Sequence, residues 1–86
     1  MWIVALSFAE EPELPAARAD HRQRLSALHR QGIVRMAGPF ADGTGALIVL
    51  DVPNRGALDA VIAADPYFTA PGVTVADVRQ WQPYLR

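Results

Sequence analysis

The sequence predicts an α+β sandwich with the element order β-α-β-β-α-β, in which two helices cover one face of a four-stranded antiparallel sheet. Three observations carry this prediction. Residues 2–8 (WIVALSF) and 46–52 (ALIVLDV) are apolar in both registers of an extended chain, as in strands covered on two faces. Two other segments space their apolar residues by three and four, which is the period of a helix with one buried face. Glycine and proline clusters fall between these segments, where chain reversals are needed.

In the first strand, Trp2, Val4, Leu6 and Phe8 point one way, and Ile3, Ala5 and Ser7 the other. The run EEPELP ends it, its prolines and glutamates suiting a turn and a helix entrance. The first helix is predicted from about Pro15 to Gln31, with Gly32 as its stop. Its inward stripe holds Leu14 or Ala17, then His21, Leu25 and Leu28. IVRMAGPF is the second strand, closed by Gly38–Pro39, and ADGTG turns the chain into the third. Asn54 is a candidate N-cap for a second helix that turns Leu58, Val61 and Ile62 inward, with Asp65 continuing the stripe in its last turn. Pro66 limits that helix, TAPG reverses the chain, and VTVADVRQW is the last strand, with a kink expected at Ala76–Asp77.

Right-handed crossovers place both helices on one side of such a sheet, the ferredoxin-like arrangement. The other face carries apolar residues as well, so a homodimer through the open sheet face is expected. The 86 residues suffice for one domain, residues 1–86, and 51% of them are hydrophobic. A domain of this size buries only ~60% of its unfolded surface, and self-association gives the surplus apolar area a place to go.

Composition narrows the function. The net charge is −1 and all eight basic residues are arginine, spread along the chain, so no basic patch points to nucleic acid. There is no cysteine, which removes disulfides and thiolate metal sites. The apolar opening MWIVALSF has neither a basic leader nor the length of a membrane span, and a soluble cytoplasmic protein is the expectation. His21 and His29 are eight residues apart with no carboxylate–histidine signature, so no metal is expected, and no phosphate loop or nucleophile motif implies a cofactor.

Two residues interrupt stripes that otherwise face the core: His21 and Asp65. In the predicted topology the start of the first helix, the end of the second and Gly38–Pro39 share one end of the molecule. Lost hydration and a helix C-terminus both disfavour a carboxylate there, and an imidazolium within ~4–6 Å would offset both. An aspartate beside a histidine also fixes the imidazole tautomer and sets up a general base. The plainer alternatives are a core histidine bonded to a backbone carbonyl and an aspartate capping the Asp-Pro turn. His29 falls on the flank of the helix and is expected in solvent. Arg18 suits a surface ion pair or an anion. Gly38–Pro39 shape the backbone, and Tyr67 and Phe68 suit packing or the apolar wall of a pocket.

RADHRQRLSALHRQG, AGPF and IAADPYFTAPG, in this order, resemble the YCII-related (YciI-like) family over nearly the whole chain. The resemblance implies a dimeric α+β barrel in which a histidine and an aspartate form the active site of a small pocket. Carried over by position, these are His21 and Asp65 as catalytic residues, with Arg18, Gly38, Pro39 and Tyr67 lining the substrate site. It implies cofactor-free acid–base chemistry, such as isomerisation, elimination or dehydrochlorination, on a small cyclic or phenolic substrate. The alternative is a dimeric module that captures a metabolite without turning it over. One departure bears on the substrate: Ala46 stands where family members often carry a hydroxyl residue.

Overall fold

The computed structural model describes residues 1–9 and 15–86, with the side chains of residues 15–17 left aside. The turn expected at EEPELP, Leu14 and the side chain of Ala17 therefore lie outside the described residues. The elements follow in the predicted order: β1 (Trp2–Phe8), α1 (Pro15–Arg30), β2 (Val34–Pro39), β3 (Gly45–Leu50), α2 (Arg55–Ala63), a 3-10 turn (Pro66–Thr69) and β4 (Val73–Gln80). The strands form one antiparallel sheet in the order β2-β3-β1-β4, the ferredoxin-like arrangement.

Register decides which side chains face the helices. Val4 pairs with Ile48 and with Val78, and Leu6 with Ala46 and Val75. All six belong to or pack on the core, together with Leu50, Leu58, Tyr67, Phe68 and the flanking Leu25 and Leu28. Directly opposed residues share a face, so Ile3–Val49 and Ala5–Leu47 lie on the other side of the sheet. β4 opposes Ala5 with Asp77 and Leu6 with Val75, leaving Ala76 as an extra residue, which is the physical form of the kink expected there. A second irregularity in β2, between Val34 and Met36, turns Met36 to the open face opposite Val49.

Local sequence accounts for the helix ends. α1 stops where Gly32 takes φ +80°, with Gly32 N–H donating to His29 O and Ile33 N–H to Leu28 O. This is the paired closure that glycine permits and a residue with a Cβ resists. α2 starts at Asn54, whose side chain accepts from Ala57 N–H.

One expectation is corrected. Asp65 is not in the last turn of α2, which ends at Ala63 with Ala64 as its cap. It is the N-cap of the following 3-10 turn, where its side chain accepts from Tyr67 N–H, and Pro66 opens that turn. A proline costs nothing at a first helical position, because its missing N–H has no intrahelical acceptor there. A carboxylate at this position meets N–H donors in place of the unfavourable carbonyls of a helix C-terminus.

Candidate active site

His21 lies in the first half of α1, and Asp65 joins α2 to the 3-10 turn. The two residues, 44 positions apart, meet: His21 Nδ1 is 2.6 Å from Asp65 Oδ2, and each residue is only 6% exposed. A carboxylate only accepts, so Nδ1–H is the donor, and the lone pair of the neutral imidazole is on Nε2. The second carboxylate oxygen, Oδ1, accepts from Tyr67 N–H at 3.0 Å. Asp65 is thus held by the turn it caps while it holds the histidine.

Two aromatic rings pack on the imidazole, and a third backs one of them. Tyr67 stacks on the imidazole, with centroids 4.1 Å apart and planes at 15°, and Phe68 meets it edge-on at 5.3 Å. Phe8 in turn packs edge-to-face on Tyr67 at 6.3 Å. This packing restricts the ring to the orientation that the carboxylate selects. Arg24, one turn beyond His21, donates to Ala64 O at 2.9 Å and so ties α1 to the residue preceding Asp65. Sequence reasoning missed this clamp, since nothing in the spacing of Arg24 and Ala64 announces a side-chain-to-backbone bond across 40 residues.

His21 opens onto a cleft of about 730 Å³ between α1 and the β2–β3 side of the sheet. Arg18, Gly38, Pro39 and Tyr67 all line it. Asp65 does not, because it stands behind the histidine. Leu6, Leu25, Ile48 and Ala46 give the cleft an apolar floor. Among the described residues no group of three or more His, Asp or Glu side chains is placed to hold a metal ion.

Two features of the cleft were not foreseen. His29 is exposed, as expected, but it also lines the cleft and donates Nδ1–H to Val34 O at 2.9 Å, which anchors the ring to the start of β2. The arginines that look dispersed along the chain are partly gathered: Arg18, Arg22, Arg30 and Arg35 all face the cleft. The available signal was a second i, i+4 row on α1. Arg18, Arg22, Ser26 and Arg30 run parallel to His21, Leu25 and His29, and both rows line the same space.

No curated protein matches this chain. Among solved structures, 5-chloro-2-hydroxyhydroquinone dehydrochlorinase (TftG) from Burkholderia phenoliruptrix AC1100, in complex with 2,5-dihydroxybenzoquinone, superposes with a TM-score of 0.65 at 15% sequence identity, covering 95% of this chain and 94% of that one. At that identity the likeness establishes the fold and not the chemistry. The sequence itself matches the YCII-related domain over residues 1–82. With the match spanning nearly its full length, the chain belongs to the YCII-related domain family.

Proposed function

We propose that this protein is a cytoplasmic, homodimeric enzyme that performs cofactor-free acid–base chemistry on a small cyclic or phenolic substrate, with His21 as the proton carrier and Asp65 as its positioning residue. The observation that carries this reading is the buried 2.6 Å bond between His21 Nδ1 and Asp65 Oδ2 at the wall of a cleft large enough for a ring-sized ligand. With Nδ1–H committed to the carboxylate, Nε2 is the nitrogen left to take a proton from a bound molecule. In an elimination, Nε2 accepts a proton from the ring substrate, the electron pair of the broken bond becomes a new π bond, and a leaving group such as chloride departs with its own bonding pair. Asp65 then faces an imidazolium and stabilises it. A positioned pair of this kind contributes ~10²–10⁴ in rate. Arg18, Gly38, Pro39 and Tyr67 would contact the substrate, and the ligand class is supported by the aromatic substrate and quinone named for TftG.

The homodimer reading rests on the open sheet face, where Ile3, Ala5, Leu47 and Met36 leave apolar surface that the helices do not cover. The accessible surface is 5808 Å² for a 9.4 kDa chain. A folded monomer of this mass exposes roughly 5000 Å².

The test is turnover of chlorinated and hydroxylated hydroquinones, followed by chloride release and by absorbance of the quinone product. Activity that falls by at least ~10² in His21→Asn, with the circular dichroism spectrum unchanged, supports the assignment. Full activity in that variant removes it. Binding of the rings by the native protein with no turnover across the panel replaces it with the ligand-capturing module.

A further inference from the structure

The acid–base pair accounts for one wall of the cleft but not for the charge around it. Arg18, Arg22, Arg30 and Arg35 line this space, and among the described residues no aspartate or glutamate does. Arg18 lies over the Phe8 ring at 5.8 Å, and Arg35 reaches Asp51 at 3.5 Å. Arg22 and Arg30 have no acidic partner among the described residues. With Ser26 they form an i, i+4, i+8 row that lines both the cleft and a shallower depression beside it, so the row lies between the two. Arg22 and Arg30, without counter-charge and gathered with two further arginines around a partly apolar space, repel their neighbours and concentrate anions. The guanidinium fork fits a carboxylate or another oxyanion through two parallel hydrogen bonds.

We infer that the substrate is a ring-bearing organic oxyanion. Its ring lies on the floor made by Leu6, Leu25, Ala46 and Ile48, and its carboxylate or phenolate oxygens are held by Arg22 and Arg30. This rests on the cleft being the substrate site. It adds a charge requirement that the His21–Asp65 pair alone does not impose. The floor accounts for the ring and the arginine row for the anion, so neither a neutral ring nor a bare inorganic anion satisfies the whole cleft.

Calorimetric titration of the full chain with 2,5-dihydroxybenzoate, its neutral amide 2,5-dihydroxybenzamide and inorganic phosphate tests the inference. The benzoate binds about tenfold or more tighter than the amide, the worth of one charge-assisted bond pair. Its affinity falls with added salt, and it shifts the side-chain resonances of Arg22 and Arg30. The double variant Arg22→Gln/Arg30→Gln brings the acid-to-amide ratio close to one. Equal binding of acid and amide, binding of neither, a preference that survives the double variant, or phosphate binding as tightly as the benzoate each overturns the inference. The catalytic reading fails separately. His21→Asn retains the acid preference, so anion binding without turnover in the native protein removes only the enzyme assignment, and turnover of neutral rings with no acid preference removes only the charge requirement.

Discussion

Asp65 has two oxygens and two tasks, and substitution separates them. Oδ1 caps the 3-10 turn and Oδ2 accepts from His21. Asparagine at this position can still cap, because its carbonyl oxygen accepts from Tyr67 N–H. Its amide group then faces Nδ1 as a donor, and an imidazole can accept only with its proton moved to Nε2. Asp65→Asn is therefore expected to keep the fold and reverse the tautomer. Turnover drops by ~10²–10⁴, and the histidine ¹⁵N spectrum exchanges the shifts of Nδ1 and Nε2. An unchanged spectrum with unchanged turnover would show that the carboxylate does not set the tautomer. Asp65→Ala loses the cap, about 1 kcal/mol, and the buried bond to His21, about 1.5–3 kcal/mol. Denaturant melts should therefore rank native above Asp65→Asn and Asp65→Ala lowest. That His21 and Asp65 lie near one another was legible from the predicted order of elements, whereas their direct bond was not. The capping geometry was not, since DPYF reads equally well as a helix that stops at proline and as a turn that starts there.

At the scale of elements, α1 presents two parallel rows to the cleft, and the polar row was hidden because the charges look evenly spread when counted along the chain. Periodicity finds a buried stripe readily, since burial needs apolar residues. It does not show whether the next stripe faces water or a cavity, because that depends on where the sheet edge lies. The turn between β2 and β3 offers a pH test. Asp42 accepts from Thr44 Oγ1–H at 2.7 Å and from Thr44 N–H at 3.0 Å. These bonds, the hydroxyl first, hold its carboxyl below the ordinary 3.8. A depressed folded value means that the contribution to stability is complete above the unfolded value and is lost as pH falls through the folded one. An NMR titration of Asp42 should give a midpoint below 3.8, and Thr44→Val, which keeps the backbone bond and loses the hydroxyl, should raise it. A midpoint that does not move would assign the effect to the backbone alone. The glycine that follows serves a different need: a Cβ at Gly45 would overlap the Leu6 carbonyl oxygen, so β3 can approach β1 only without one. Gly45→Ala forces the strands apart and should cost about 1–3 kcal/mol in thermal or denaturant unfolding. A variant as stable as the native chain would mean that the sheet yields there without strain.

At the scale of the whole molecule, the order of elements and the right-handed crossovers sufficed to bring the N-terminal half of α1 to the chain that follows α2, so the nearness of His21 and Asp65 was legible from topology before any side chain was placed. Strand irregularities were less so: the bulge at Ala76 left a hint in the broken alternation of VTVADV, whereas the one beside Arg35 in β2 left none, because IVRMA alternates acceptably in either register. That second bulge matters, for it places Met36, 65% exposed, on the open face opposite Val49. There it extends the apolar area of Ile3, Ala5 and Leu47, while Asp77 and Arg79 pair at 2.9 Å along the β4 edge. An apolar centre with a charged edge is the anatomy of a protein interface. A second copy of the same face satisfies it with two-fold symmetry, each apolar patch covering the other. Sedimentation equilibrium should accordingly give twice the 9.4 kDa chain mass for the native protein. Leu47→Arg together with Met36→Arg places two like charges on each side of the two-fold and should shift the equilibrium to monomer by at least ~10²-fold in dissociation constant, since like charges brought together across an interface cost several kcal/mol. Neither side chain belongs to the core between sheet and helices, so the helical circular dichroism signal should survive. A native protein that sediments as a monomer, or a doubly charged variant that remains dimeric, would place the association surface elsewhere and leave the open face to solvent.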